Sequence, residues 1–544
     1  MEQIFSYLST SDILQSVRRV NQFWYQISFS KRLFKNVSFA EWEHLSDENI
    51  SRFLASIGEF VENLDICRCS SLSSQIGLKS ILNCVNLKYL NLSDTACDDL
   101  ALLHILKCCS LLTHVDISFC NDVANASVWS RYIPSGLCKF MTRDVRVNLF
   151  DIFLHIQLET RPKLQETTLK SEDFQLANES SLILADEFFT WLDSIMYLHI
   201  YDDNIDNEDL LERPIVLSNL YGFFAHKVRI SDKVVQALAE HSPKLEIFSV
   251  DSCTQVTDVG VGYLAKRCPN IKVLNVAGSQ SSSANPICSG TLTNNGLFSI
   301  SSYLTKLESI NLMACDRISD EGILRLQMNL RFLRSLVLTG CISLKNKTLI
   351  DFVEACPLLE EVDLTECMYF NHYGLRKYIS GLPNLRNFKS SSCPMIGSLF
   401  LQDSDFTSPP NPFPLHNPNW HPLSNLRNLD LSFCPRLDDR ALSYLAVYCK
   451  QLIELNLYAC SEISDDGIED IVNECKQLES LDLSCCRSKR SQLTDKSLEH
   501  IEKLKYLREL YLTGCLLFTV DRIVNLASNS PNLRTLQKRF DVHH

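Results

Sequence analysis

The sequence predicts an α/β solenoid, a stack of strand–turn–helix units preceded by a short all-α module. Three observations predict it. A spaced apolar motif returns about every 26 residues, most of the 23 cysteines fall in phase with it, and 544 residues exceed what one growing core can serve.

The clearest copies place apolar Leu426, Leu429 and Leu431 at i, i+3 and i+5, with Cys434 at i+8; Leu452 and Leu478 restart the frame after steps of 26 residues, with Cys460 and Cys486. Upstream the frame opens at Leu245, Ile271, Leu307, Leu333, Leu359 and Leu385, and Cys253, Cys315, Cys341, Cys367 and Cys393 hold the i+8 place. Further copies open at Val61, Leu87 and Leu112, with Cys69 and Cys120 at i+8, and at Leu507, with Cys515, and Leu533. Residues i+3 and i+5 alternate inward from a short strand, and i+8 follows it into a turn. A thiol there is a small buried hydrophobe with a weak donor for a backbone carbonyl. The frame resembles the leucine-rich repeat, L-x-x-L-x-L-x-x-N/C-x-L, with cysteine in the polar slot. That resemblance implies a horseshoe with parallel strands on the concave face and helices on the convex face.

The second half of each unit reads as a capped helix. Ile318-Ser319-Asp320, Ile463-Ser464-Asp465, Val256-Thr257-Asp258, Leu493-Thr494-Asp495 and Ile230-Ser231-Asp232 put a hydroxyl or carboxylate ahead of an amphipathic run. Cys84, Cys109, Cys268, Cys356, Cys449 and Cys475 stand three residues before a repeat-opening residue, a second buried layer of thiols. Nothing in the sequence directs export, and the cytosol keeps thiols reduced; there is no Cys-x2-Cys pair for zinc. The cysteines are packing residues, and no metal or cofactor is expected.

These frames set the expected organisation. Residues 1–40 form the helical module, 41–123 repeats, 124–194 degenerate repeats or an insertion, 195–536 repeats, and 537–544 a tail. Leu164, Ile195 and Leu220 are compatible with worn copies. Two long steps hold projecting loops, 279–290, rich in serine, and 402–422, which carries six of the 17 prolines together with Phe406, Phe413 and Trp420. The second is a spacer or a partner-binding loop. The tail contains Lys538 and Arg539 and either covers the open end of the solenoid or folds back over the concave face.

In the N-terminal module, Ile4, Phe5 and Leu8 share a helical face, Ser11 or Asp12 can cap a second helix, and Leu14, Val17 and Val20 follow at helical spacing. The runs Ile4 to Leu8, Asp12-Ile13-Leu14, Val20 to Trp24 and Leu33-Phe34 resemble the F-box, so the whole chain resembles the F-box/leucine-rich-repeat (FBXL-type) proteins. Their F-box normally has a Leu-Pro pair ahead of the Ile-Phe-Ser-Tyr-Leu helix, whereas Met1 stands inside that helix; the expectation is a truncated start or a weakened adaptor contact. The resemblance implies the substrate-recognition subunit of an SCF-type (Skp, cullin, F-box) ubiquitin ligase. Its F-box would bind the Skp adaptor, and through it cullin and RING subunits, by Ile4, Phe5, Leu8, Asp12, Ile13, Leu14, Val17, Val20 and Trp24. The alternative is a non-catalytic repeat scaffold in a stable assembly such as a ciliary axonemal complex.

Other classes are less compatible with the residues. Lysine plus arginine total 52 against 65 aspartates and glutamates, a net charge of -13 that disfavours a nucleic-acid surface. No run approaches the roughly 18 to 20 apolar residues of a membrane helix, so a cytoplasmic location is expected, with the nucleus or axoneme open. No nucleophile constellation or glycine-rich phosphate loop is present, so no catalysis is expected of the chain itself. The candidate binding residues are those at i+2, i+4 and i+6 of the later repeats, which face outward: Glu361, Asp363, Asp430, Glu454, Asn456, Tyr458, Asp482, Glu509 and Tyr511. This acidic strip is either a solvated sheet face or a surface for a basic or polar segment of a protein substrate.

Overall fold

A computed structural model describes residues 34–40, 46–143, 145–147, 164–169, 195–200, 219–278, 291–397, 425–486 and 493–537, with single positions 149, 152, 162 and 173. The chain divides into two units, Met1–Ile247 and Phe248–His544. The described residues of both are leucine-rich-repeat solenoid.

In the first unit, β1 (Asn36–Ser38), β2 (Asn63–Asp65), β3 (Tyr89–Asn91), β4 (His114–Asp116), β5 (Lys139–Met141), β6 (Glu166–Leu169), β7 (Tyr197–Ile200) and β8 (Gly222–His226) pair in chain order, all parallel. Helices α1 (Asp47–Ile57), α2 (Asp99–Cys108), α3 (Ala126–Trp129) and α4 (Asp232–His241) lie between strands, and Leu78–Asn83 forms a 3-10 helix between β2 and β3. The second unit opens in β9 (Ile247–Asp251) and continues through β10 (Val273–Asn275), β11 (Ser309–Asn311), β12 (Ser335–Val337), β13 (Glu361–Asp363), β14 (Asn387–Lys389), β15 (Asn428–Asp430), β16 (Glu454–Asn456), β17 (Ser480–Asp482), β18 (Glu509–Tyr511) and β19 (Thr535–Gln537). From β10 onward these too pair in order and in parallel. Its helices are α5 (Asp258–Arg267), α6 (Asn294–Tyr303), α7 (Asp320–Gln327), α8 (Asn346–Ala355), α9 (His372–Gly381), α10 (Asp439–Tyr448), α11 (Asp465–Glu474), α12 (Asp495–Ile501) and α13 (Val520–Asn529).

The register follows the motif. Leu336, Val362, Phe388, Leu429, Leu455, Leu481 and Leu510, all at i+3, are consecutive cross-strand partners, and each is buried. Burying such a side chain is worth about 1.5–3 kcal/mol, repeated at i, i+3 and i+5 in most of the repeats.

After thirteen of the strands the backbone turns through a left-handed residue at i+7: Arg68, Asp94, Phe119, Lys227, Ser252, Ala314, Gly340, Glu366, Ser392, Phe433, Ala459, Cys485 and Gly514 all have φ between 54 and 76°. Only Gly340 and Gly514 are glycine, so the conformation is imposed on side chains that resist it. The backbone bonds it makes explain why. Phe433 N–H donates to Tyr458 O (2.7 Å) and Ala459 N–H to Ser484 O (2.8 Å), each reaching the next repeat.

The next residue is the i+8 cysteine, except at Thr95 and Val228. Its thiol donates back to the i+5 carbonyl of the preceding repeat: Cys341 to Leu312 (3.3 Å), Cys393 to Leu364 (3.3 Å), Cys460 to Leu431 (3.2 Å) and Cys486 to Leu457 (2.9 Å). The helix-ending cysteines form the second ladder, Cys109 to Cys84 O (3.4 Å), Cys356 to Leu330 O (3.3 Å) and Cys475 to Cys449 O (3.4 Å). Thiol chains therefore stitch consecutive repeats along two buried lines, where leaving a carbonyl unpaired would be costly. Burial pushes these thiols up, Cys393 and Cys434 to about 12, so they stay protonated and unreactive. Cys67, Cys138 and Cys485 are partly exposed and Cys108 exposed. A thiol reagent applied to the native chain at pH 8 will therefore modify a small minority of the 22 cysteines among the described residues, the remainder of these reacting only in denaturant. Rapid native-state reaction of most of them contradicts the burial.

The Ser/Thr-Asp signature does more than cap its own helix. Ser464, Thr257 and Thr494 do accept from the N–H of Asp466, Val259 and Lys496. Ser319 and Ser231 make no such side-chain cap; Ser319 Oγ instead accepts from Asn294 Nδ2 of the preceding repeat (2.8 Å). The first helical residue binds the cap of the following repeat: Asp258 accepts from Thr293 N (2.8 Å) and Oγ1 (2.5 Å), Asp439 from Ser464 N (2.7 Å) and Oγ (2.6 Å), and Asp495 from Thr519 N (2.8 Å) and Oγ1 (2.6 Å). The helices approach so closely here that a Cβ on Gly296 would stand 2.6 Å from Asp258 Oδ1, which accounts for the glycine two residues into α6.

Two copies of the frame differ from the sequence expectation. Phe34, Val37 and Phe39 are buried at i, i+3 and i+5 around β1, so Phe34, expected to close the helical module, packs in the first repeat, edge-on to Phe53 at 5.3 Å. Leu137, inside the stretch 124–194 where the pattern sets no frame, opens a copy with Phe140 and Thr142 buried. Trp129, fully buried on α3, supports it: its Nε1 donates to Asp99 Oδ1 (2.8 Å), and its ring lies 6.1 Å from Phe140. Gln537, expected to begin the tail, is the last residue of β19. The loops 279–290 and 402–422 and the rest of the tail lie outside the described residues.

Candidate functional site

Because successive strand residues face opposite sides of a sheet, a buried i+3 leaves i+2 and i+4 facing away from the helices. In the second unit these form two rows in register. The i+2 row runs Ser335, Glu361, Asn387, Asn428, Glu454, Ser480, Glu509, and the i+4 row Val337, Asp363, Lys389, Asp430, Asn456, Asp482, Tyr511. All of them line one groove of about 620 Å3 across β12 to β18.

The structure thus brings together Glu361, Asp363, Asp430, Glu454, Asn456, Asp482, Glu509 and Tyr511, eight of the nine sequence-predicted positions. The ninth, Tyr458 at i+6, is not among the lining residues. It is half-buried beside the strand's exit, its ring centroid 4.9 Å from that of Phe433, which is 53% exposed. Lys389, on β14, lies in the middle of the i+4 row and places one cation between Asp363 and Asp430.

Each acidic or amide residue of the i+4 row also holds its own turn. Asp363 Oδ1 accepts from Thr365 N (2.9 Å), Asp430 from Ser432 N (2.9 Å), Asn456 from Tyr458 N (3.0 Å) and Asp482 from Ser484 N (2.7 Å). These side chains are therefore both structural and outward-facing. At i+2, Glu361 Oε1 accepts from Asn387 Nδ2 (2.7 Å), while Glu509 Oε2 accepts from Ser480 Oγ (3.1 Å) and Tyr511 Oη (3.3 Å). Burial and then the Glu509 charge hold the Tyr511 phenol above its ordinary pKa, so it remains a donor to that carboxylate. Six carboxylates and one lysine give the groove a strongly negative field, which favours cations and disfavours phosphates.

The corresponding face of the first unit is chemically different. Lys139 Nζ (2.6 Å) and His199 Nε2 (3.1 Å) both meet Glu166 Oε1, and His199 stacks on Phe224 at 4.4 Å. Burial tends to raise Glu166, but the bonds from His199 and Lys139 outweigh it and leave its pKa below the usual value. The charges of Lys139, His199 and Glu166 are thus paired within the sheet.

Among the described residues no group of three or more His, Cys, Asp and Glu could hold a metal ion, and no helix is long and apolar enough to cross a membrane. The adaptor positions Ile4, Phe5, Leu8, Asp12, Ile13, Leu14, Val17, Val20 and Trp24 lie outside the described residues.

Family models match the chain in two places: an F-box-like model at residues 1–40 and a leucine-rich repeat model at residues 303–326. The chain thus joins an F-box-like segment to leucine-rich repeats. The 303–326 match spans β11 and most of α7, one strand–turn–helix unit of the array. A search of curated proteins returns no match for this F-box/leucine-rich-repeat chain. Similar solved structures include the yeast Rad7 and Elc1 complex, at 18% identity and a TM-score of 0.42, covering 67% of this chain and 85% of that one. A TLR13 complex with a single-stranded RNA is similar at 17% identity and a TM-score of 0.47, over 93% of this chain and 66% of that one.

Proposed function

We propose that this F-box/leucine-rich-repeat protein is the substrate-recognition subunit of an SCF-type ubiquitin ligase. The F-box-like segment binds a Skp-type adaptor, and through it cullin and RING subunits; the repeat sheet holds the protein to be ubiquitylated. The chain supplies recognition in the cytoplasm, and ubiquitin transfer belongs to other subunits. The observation that carries this reading is the joining of an F-box-like segment at residues 1–40 to a repeat sheet with two outward rows of charged and polar side chains.

In the F-box segment, Leu14 and Trp24 are the apolar positions assigned to the adaptor contact or its supporting core. Precipitation of the intact chain is expected to retain the adaptor and cullin, and Leu14→Ala with Trp24→Ala to lose both. An intact chain that retains neither contradicts the receptor reading and favours the scaffold.

A further inference from the structure

We propose that the groove across β13 to β18 binds a cationic protein segment in polyproline II conformation carrying lysine or arginine at every third position; this rests on the receptor reading above and specifies its substrate class. Parallel strands lie about 4.8 Å apart, so side chains of one row on alternate strands are separated by about 9.6 Å. Asp363, Asp430 and Asp482 stand in the same row on β13, β15 and β17. A chain laid across the strands in polyproline II advances about 3.1 Å per residue and turns every third side chain to the same side, whereas a β-strand would turn residue i+3 to the opposite face. Three residues of polyproline II therefore cover about 9.3 Å, and every third side chain meets a carboxylate of the row.

Three features favour a peptide of this kind over diffuse attraction of cations. The row is periodic, and Glu454 and Glu509 fall on the intervening strands β16 and β18 in the second row, so no neighbouring cation interrupts β15 to β18. Each row aspartate is held by its Oδ1 bond to the backbone, which leaves the carboxylate pre-positioned with a second oxygen for a partner. Phe433, three residues beyond Asp430, is 53% exposed at a left-handed φ of 54° beside Tyr458. That aromatic pair offers a cation–π platform at the end of the β15 strand. Lys389 opposes the segment at one point, and its removal should strengthen binding.

The test measures fluorescence anisotropy of labelled peptides with the full chain at low ionic strength. One peptide carries three lysines spaced every third residue with Gly-Ser between them; the control has the same composition with its lysines adjacent. The spaced peptide is expected to bind at least tenfold more tightly. The double variant Asp430→Asn/Asp482→Asn keeps the amide oxygen that accepts from Ser432 and Ser484, so its circular dichroism and melting should be unchanged while affinity falls at least tenfold. Lys389→Gln is expected to tighten binding severalfold, a gain that misfolding cannot mimic. Equal affinity for the two peptides, or wild-type affinity in the double variant, overturns the proposal. Adaptor capture measured on the same preparations separates the two claims. Peptide selectivity lost with capture retained overturns the proposal about the groove, and capture absent from the intact chain overturns the receptor reading.

Discussion

Trp129→Ala is expected to destabilise the first unit by about 3–5 kcal/mol, the range for removing a buried aromatic side chain. Trp129 is fully buried, packs beside Phe140, and donates to Asp99, which also accepts from Ala124 and Asn125 N–H. One side chain thus ties α2, α3 and β5 together. Trp129→Phe retains most of the volume but drops the indole donor and should cost about 1–2 kcal/mol. In a repeat array each unit leans on its neighbours, so loss at Trp129 should show as an early phase in urea unfolding followed by circular dichroism. Alanine and phenylalanine variants of equal stability would show that packing is not what Trp129 contributes.

The second large effect concerns the carboxylate that spans repeats. Asp465 accepts from Thr494 N (2.8 Å), Thr494 Oγ1 (2.5 Å), Ser497 N (3.2 Å) and Ser497 Oγ. Hydrogen bonds to a charged group are worth about 1.5–3 kcal/mol each when buried and less when part-exposed, as this one is. Asp465→Ala is expected to cost about 2–4 kcal/mol and Asp465→Asn clearly less, since the amide keeps one acceptor. A thermal melt of the three proteins checks the order. An alanine variant within about 0.5 kcal/mol of the parent would contradict a load carried between α11 and α12, because that is the ordinary range for a surface substitution.

Much of this was readable from residue spacing. Cysteine at i+8 could be placed because one small buried residue must follow each strand, and the thiol-to-carbonyl bonds supply the reason. The left-handed residue before it could not, since Arg68, Phe119, Glu366 and Phe433 share no side-chain property. What holds that conformation is a backbone N–H bonded to the next repeat, which leaves no mark on composition. The Ser/Thr-Asp pair was legible as a cap, but the partner of its aspartate lies 24 to 35 residues away in the sequence. Leu137 escaped the pattern because Thr142 replaces the i+5 leucine and Val145 the cysteine; Trp129 compensates from a helix of only 4 residues.

For the groove, period-two alternation placed eight of nine side chains on one surface. Tyr458 fell outside because i+6 lies past the strand, where the chain has already begun its turn. Lys389 occupies the same row and was passed over in reading the strip as acidic. The alternation also could not show that Asp363, Asp430 and Asp482 each brace a turn, which makes asparagine the informative replacement and charge reversal a confounded one.

The central claim is that the F-box-like segment and the repeats act as one receptor. The most direct measurement is the mass of the purified chain co-expressed with a Skp-type adaptor, by size-exclusion chromatography with light scattering. A one-to-one complex is expected, which the Leu14→Ala/Trp24→Ala variant fails to form while remaining folded. An intact chain that elutes alone, with its repeats folded and no adaptor bound, would contradict it.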